Sequence, residues 1–529
     1  MTLQQQDDVI SKAPPLGSKK ETDEGALPGS RDGGSGGITT TSPGADSDRN
    51  LIEYGGQIAL DPALEKRLRR KFDRTLIVLV FLAYMLAFLD RSNIGNARLA
   101  KMNEDLGFAD AHFQWLLTIF YIPYILFEPC AVMWKLLPPH IWAAITVATW
   151  GLASTLQAAA FNWEGLMVCR WFLAMAEASF APGVPYLLSF FYRRKELGLR
   201  IGIFFSAAPL ATTFAGALAF AITDSKTGIA PWRLLFLVEG APTILLAAVL
   251  FFYLPDSPET AKFLTPQEKE AARSRAILQS GTEGKARLGS IQWKEVIEAF
   301  ESLQTVIPAL MYFSCNVSFS SLPVFLPSIL TTMGFSQVGA QGLTAPPYFL
   351  AFLVCIGTTY LADKTQQRGI IIMILSVIGG IGYILLAVTT TSTAVRYTGV
   401  FLAASGVFPA IANVLPWTLN NQGTDTKRGV GIAILNIIGQ CGPLLGTRLF
   451  PESAMPHYTT GMATCAAFMV LNALLAAGLR WHFARKNKKL EEEEETGRRP
   501  SNDTSNGCNM AATKVESEMQ GTLGYRYVL

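Results

Sequence analysis

The chain has 529 residues; half are hydrophobic and only 16% are charged, whereas a soluble protein of this size carries about 25% charged residues. Its mean hydropathy is +0.29 and its net charge +3, with the charge gathered in short clusters between long apolar stretches. That pattern excludes a soluble enzyme or a nucleic-acid-binding protein and leaves a polytopic membrane protein.

In chain order, residues 1–65 come first, a tail rich in Gly, Ser, Asp and Thr ("GSRDGGSGGITTTSPGADSD"). It is too poor in apolar residues to bury a core and is expected to be disordered. It has no apolar h-region, so no cleaved signal peptide is expected. A membrane-spanning helix needs about 20 apolar residues, and twelve segments meet that length. They lie near 75–95, 111–135, 140–161, 163–191, 197–222 and 233–254, then 306–330, 341–361, 369–389, 395–419, 428–450 and 458–482. The expected organisation is all-α, with a six-helix bundle over 66–254, a linker over 255–305 and a second six-helix bundle over 306–484. Residues 485–529 form a second polar tail, also expected to be disordered.

In the linker, Thr265, Pro266 and Glu268 read as a capping box opening a helix. Trp293, Val296, Ile297 and Phe300 fall at helical spacing and suggest an amphipathic interfacial helix. Lys and Arg collect in "EKRLRRKFDR", in "RRKELGLR", at Lys364 and Arg368, at Lys427 and Arg428, and in "RKNKK". By the positive-inside rule those segments, and hence both tails, are cytoplasmic. Six cysteines (Cys130, Cys169, Cys315, Cys355, Cys441, Cys465) lie in apolar segments and Cys508 in the polar tail, with no metal-ligand spacing, as expected of reduced packing residues.

Six ionisable residues sit at membrane depth: Asp90, Arg91, Glu128, Arg170, Glu177 and Glu239. Left unpaired they would cost roughly 15–20 kcal/mol, more than the whole stability of most domains. They must be paired, neutral by protonation, or turned to a water-filled cavity. Arg170 and Glu177 share one face of span four, about 10.5 Å apart along the axis, and can both reach a neighbouring helix. Each also has a plainer reading. Asp90 and Arg91 could cap span one, Arg170 could snorkel, Glu128 could bond locally around Pro129, and Glu239 could order span six. The second half offers amides instead: Asn316, Asn413, Asn436 and Gln440, the last two one turn apart. Tyr124, Tyr348 and Trp417 are aromatic candidates that could equally be packing residues. Paired prolines at 182 and 185, 323 and 327, and 409 and 416 mark spans four, seven and ten as bending helices. The halves echo each other weakly, "LRIGIFF" with "KRGVGIA", and "FAPGVPYLL" with "FPAIANVLPW", as a duplicated transporter would.

Taken together, "AFLDRSNIGNA", "FYIPYILFEP", "RWFLAMAEASFAPG", "WRLLFLVEG", "LPDSPETAKFLTPQEK" and "TKRGVGIAILNIIGQCGPLLG" resemble the major facilitator superfamily over about residues 66–481. Within it they resemble the anion:cation symporters that include fungal allantoate, nicotinate and pantothenate permeases. The resemblance implies that spans one and four adjoin at the cavity, that Asp90 and Glu177 carry protons with Arg170 tuning them, and that Arg91 meets a substrate carboxylate. It also implies gating by Asp363 and Arg368 in "LADKTQQRG". Departures are Ala174 where relatives have Gly, Cys130 and Ala131 in place of Ser-Asn, and a loop between spans two and three reduced to Lys135 and "LLPPH". The last makes the cytoplasmic latch asymmetric.

No P-loop appears, the four histidines have no ligand spacing, and the two N-x-S/T matches, at Asn316 and Asn502, are poorly placed for glycosylation. No cofactor is expected; a proton gradient supplies the energy. The expected function is proton-coupled uptake of a small carboxylate-bearing organic anion (nicotinate, allantoate or a vitamin-like acid) by alternating access. The protein would act as a monomer in the bilayer of the plasma membrane, without nucleic acid. Two other readings stay open: efflux of a fungal metabolite by the same fold, and a non-transporting nutrient receptor.

Overall fold

The computed structural model describes residues 51–54, 57–60, 62–223, 228–280, 302–422, 425–495 and 526–529. Spans one to six are the helices Val78–Ser92, Asp110–Phe127, Pro139–Gln157, Trp163–Phe180, Arg194–Thr223 and Pro231–Tyr253. Spans seven to twelve are Leu303–Thr332, Ala345–Thr365, Arg368–Val388, Thr393–Asn421, Asp425–Gly446 and Thr459–Glu495. Among the described residues, ten helices are long and apolar enough to cross a membrane by length and composition. Spans three and four are the exceptions. Span four carries Glu164, Arg170 and Glu177, and span three is diluted by Thr, Ser, His and Gln. These two pack on each other, span three also on span six, and span four also on span two. Their polar groups therefore meet protein.

The proline pairs act differently from one span to another. Pro182 sits in a 3₁₀ turn, Ala181–Gly183, that breaks span four before the short helix Val184–Ser189. Spans seven and ten run unbroken through theirs. Proline removes only one ladder bond, and Ser320 and Thr418, for example, return hydroxyl bonds to carbonyls one turn back in the same spans.

Three regions depart from the sequence expectation. The tail expected to be disordered over 1–65 holds an antiparallel ribbon, β1 (Leu51–Tyr54) with β2 (Gln57–Leu60), followed by helix α1 (Pro62–Phe72). "LIEY" and "QIAL" flank Gly-Gly, the two-residue spacing that closes a hairpin. The tail expected over 485–529 begins as span twelve, which stays helical to Glu495. The last four residues, Arg526–Leu529, are seated on the bundle. Trp417 Nε1 donates to the Val528 carbonyl at 2.8 Å, Val528 N to Asn421 Oδ1 at 2.8 Å, and Gly369 N to the Leu529 carbonyl at 3.2 Å. Asn487 exchanges two bonds with the Tyr527 backbone at 2.8 and 2.9 Å, and the Tyr527 ring stacks on Phe483 at 5.2 Å. In the linker, helix α2 (Pro266–Ser280) starts with the capping box in both directions, Thr265 N to Glu268 Oε2 at 2.9 Å and Glu268 N to Thr265 Oγ1 at 3.4 Å. The stripe at Trp293, Val296, Ile297 and Phe300 lies outside the described residues. The six described cysteines are free thiols.

Both ends of the bundle are closed. At the end bearing α1 and α2, span five packs on spans eight and ten. Asp363 Oδ2 accepts from Leu199 N at 2.9 Å while Oδ1 pairs with Arg368. A Cβ on Gly198 would meet the ends of the Arg368 and Asp363 side chains, which would have to move aside to admit it. Ion pairs Arg200–Asp73 (2.8 Å), Arg69–Glu196 (3.0 Å) and Lys71–Glu268 (2.6 Å) bind α1 and α2 to the same end. Burial works against the Glu268 charge, but Lys71 and the Thr265 cap hold its carboxyl below the usual glutamate range. At the opposite end span two packs on span eleven, Arg98 pairs with Asp110 (2.8 Å) and with Glu452, and Gln341 Nε2 donates to the Asn96 carbonyl at 3.3 Å.

Candidate functional site

The site starts from a single turn of span one. Neighbouring residues on a helix point about 100° apart, so Asp90 and Arg91 address different helices. They do not cap the chain at a surface: Asp90 is fully buried, and the helix resumes as Ile94–Leu99 just after Asn93. Arg91 turns toward spans two and four. Its Nη2 pairs with Glu177 Oε2 at 2.7 Å, and its guanidinium lies over the rings of Phe120 (4.7 Å) and Tyr124 (4.9 Å). Asp90 turns the other way, toward spans three and six. It accepts from Ser154 Oγ at 2.6 Å and is approached by Thr243 Oγ1 at 3.4 Å. Spans one and four therefore meet through Arg91 and Glu177, and Asp90 stands apart from that pair.

Arg170 does not pair with a carboxylate. Its Nε donates to the Leu116 carbonyl at 3.3 Å and its Nη2 to the Arg91 carbonyl at 3.4 Å, so it binds the backbones of spans one and two to span four. Of the three buried carboxyls near these two guanidiniums, Glu177 alone bonds one of them; with Asp90 and Glu128 protonated the centre carries an excess positive charge. An isolated buried charge is strongly unfavourable, and a bound anion would balance it.

Two gaps, each little more than water-sized, open beside Arg91. Arg91, Tyr121, Ser320 and Val324 line both. Phe88, Asn316 and Gln440 line the first; Arg170 and Thr447 line the second. The gaps sit between the two closed ends, so the structure is that of an occluded bundle.

Several residues named from the sequence lie elsewhere. Asn413 Oδ1 accepts from Arg368 Nη1 at 3.3 Å, which joins it to the Asp363–Arg368 pair. Trp417 holds Val528 of the seated tail. Tyr348 is buried behind Phe408, ring centroids 5.4 Å apart, and Asn436 is buried on span eleven without lining either gap. Tyr124 stacks under Arg91 without lining the gaps. Tyr121, one turn earlier on span two, does line them, and so does Ser320; neither was singled out from the sequence. Glu128 is buried at the foot of span two with no hydrogen-bond partner for either oxygen, in reach of the charge on Arg91.

Comparison with known proteins agrees with this architecture. Residues 80–447 match the family described as the Major Facilitator Superfamily. An MFS-type transporter of Penicillium expansum is 33% identical over 441 residues, covering 81% of this chain and 85% of that protein. The high-affinity nicotinic acid transporter of Saccharomyces cerevisiae is 29% identical over 427 residues, covering 80% and 79%. Among solved structures, the proton:xylose symporter XylE superposes with a TM-score of 0.59 at 15% identity, covering 77% of this chain and 95% of that one. A bacterial homologue of the human lysosomal transporter Spinster, inward-facing and occupied, gives 0.52 at 17% identity, covering 78% and 97%. The relatives are named as transporters, not enzymes, and the structural likeness carries the twelve-span architecture. The chain belongs to the major facilitator superfamily.

Proposed function

We propose that this transporter takes up a small carboxylate-bearing organic anion together with protons, by alternating access about the Arg91 gap. The observation that carries the reading is a pair of guanidiniums, Arg91 and Arg170, of which Arg91 alone is bonded to a carboxylate, Glu177, at a place reached from both halves. A guanidinium offers a planar fork that fits a carboxylate. Arg91 could exchange its bond from Glu177 to substrate, freeing Glu177 to take a proton. Phe88 and Phe319 line the same gap 5.1 Å apart, and Asn316 and Gln440 supply amides, a set suited to a flat, heteroatom-bearing acid. The similarity to a nicotinic acid transporter supports that class of substrate.

In this reading the α1–α2 end, with the basic clusters, is cytoplasmic, and the membrane is the plasma membrane. The units that rock are residues 66–254 and 306–484 of one monomer, with Asp363 and Arg368 as the cytoplasmic gate. The test is labelled nicotinate uptake into proteoliposomes with an imposed pH gradient, competed by monocarboxylates, dicarboxylates and ureides. Competition by one acid class, with uptake driven from the acidic side, supports the proposal. Uptake indifferent to every carboxylate, or unaffected by the gradient, overturns it.

A further inference from the structure

On the far side of span one from the Arg91 gap, spans one, three and six enclose a second polar centre. Its lower layer is satisfied: Asp90 with Ser154 and Thr243. One helical turn further toward the Arg98–Glu452 end, the same three faces present Asn93, Gln157 and Glu239. These stand at i+3 from Asp90, i+3 from Ser154 and i−4 from Thr243, and the directions of the three helices carry all of them the same way. Asn93 and Gln157 are fully buried and Glu239 is 1% exposed. Asn93 Nδ2, both polar atoms of the Gln157 amide and both carboxylate oxygens of Glu239 have no hydrogen-bond partner in the protein. Asn93 approaches Glu239 without reaching bonding geometry. Five orphaned polar atoms in one buried layer call for water or a proton.

We infer that Glu239 is a second proton-carrying carboxyl, linked to Asp90 through this polar layer, so that protons cross the N-terminal six helices by a route separate from the substrate gap. The inference rests on the proton-coupled reading above. Among the described residues the charged group acting on Glu239 is Asp90, while Glu177 and Arg170 act on Asp90; spans three and six add hydroxyls, the Gln157 amide and, beyond it, Arg233, whose Nη1 donates to the Ala158 carbonyl at 2.7 Å. Two negative charges so close in an apolar surround are strongly disfavoured, so the pair holds at least one proton. One helical turn separates the layers, about 4.5–6 Å, the span of one water molecule between two hydrogen bonds. In the transfer, the O–H bond of Glu239 breaks, the bridging water takes that proton and gives up one of its own, and an O–H bond forms on Asp90. Nothing else is consumed. Because Asp90 and Arg91 are adjacent on one helical turn, a rotation of span one when Arg91 engages substrate also moves the proton site.

The experiment uses the full chain in proteoliposomes with an internal pH probe and labelled substrate. Glu239→Gln keeps shape and removes the exchangeable proton. Its gradient-driven uptake should fall about 100-fold, as expected for loss of a positioned proton carrier. Counterflow, which needs no net proton movement, should stay within about twofold of wild type, because the Arg91 gap is untouched. Glu239→Asp should recover part of the driven uptake with a displaced pH profile. Gln157→Met, which leaves every carboxyl in place, should slow the proton signal without abolishing counterflow, and it serves if Glu239→Gln folds poorly. A wild-type proton-to-substrate ratio and pH profile in Glu239→Gln or in Gln157→Met would overturn the inference while leaving proton coupling intact. No substrate-driven proton signal in the wild type would overturn the coupled reading and this inference with it.

Discussion

The two halves of the bundle solve burial of polar groups in different ways. Spans one to six hold carboxylates and guanidiniums at depth: Asp90, Glu128, Arg170, Glu177 and Glu239 are buried, and Arg91 is 13% exposed. Around the gap and the core of spans seven to twelve, the buried polar groups are uncharged, Asn316, Ser320, Asn413, Asn436, Gln440 and Asn472; the buried cations Arg368 and Arg396 stand at helix starts. Charged groups can be switched by a proton or a counter-ion, whereas amides and hydroxyls only fix geometry. The difference separates the halves chemically: the first buries groups that a proton or counter-ion can switch, and the second lines the gap with amides and hydroxyls and holds the Asp363–Arg368 pair.

Exchange of a single group in the first half should break transport outright. Arg91→Lys should keep surface expression and lose about 100-fold of uptake, because an ammonium cannot reproduce the bidentate fork. Wild-type affinity in radioligand binding to Arg91→Lys would place the substrate carboxylate elsewhere. Glu177→Gln should abolish pH-driven accumulation and leave exchange of internal for external substrate, since the neutral amide mimics the protonated acid permanently. Concentrative uptake at wild-type rates would make Glu177 a purely structural partner of Arg91.

Changes in the second half should be graded. Gln440→Ala should raise KM about tenfold with an unaltered pH profile, the loss of about 1.4 kcal/mol expected for one or two hydrogen bonds. A changed proton-to-substrate ratio there would erase the contrast between the halves. Gly198→Ala, on the facing helix, should push the ends of the Arg368 and Asp363 side chains aside and shift the balance modestly toward the state open at that end. Cysteine accessibility at the α1–α2 end should rise, and no rise would remove Gly198 from the gate. The smallest effect is expected from deleting Arg526–Leu529: a lower Tm and turnover altered by about twofold, whereas deleting residues 1–50 should change neither. Among the described residues seven hydrogen bonds hold this segment, each contributing about 1 kcal/mol before the cost of ordering it, and that cost leaves a modest net term. Identical Tm values would mean the seated tail contributes nothing to stability.

Most of the fold was legible because apolar length alone locates a spanning helix, and the site was legible where a charge interrupts that length. Arg91, Arg170 and Glu177 announce themselves in that way. Amides and aromatics do not. Asn413 and Gln440 are the same kind of signal in sequence, yet one faces the Arg368 gate and the other the gap. The rotation of each helix against its neighbours decides this, and periodicity within one helix does not contain it. Tyr121 and Tyr124 differ by less than one turn, so only packing shows which of them borders the gap. Trp417 finds its partner 111 residues away, at Val528. Asp90 was read with Arg91 because they are adjacent, although adjacency on a helix sends two side chains to different neighbours. The ribbon at 51–60 carried a turn signal that the polar tail around it obscured.

The seated tail has a thermodynamic consequence. Arg526–Leu529 touch the starts or ends of spans nine, ten and twelve, and Gly369, which binds Leu529, is next to Arg368 of the proposed gate. If opening that gate alters the seat, then tail docking and substrate binding are linked functions, and linkage is reciprocal. Any factor by which substrate changes the tail's affinity is the factor by which the tail changes the substrate's. The Tyr527–Phe483 stack would then serve as an optical gauge of what the central gap contains.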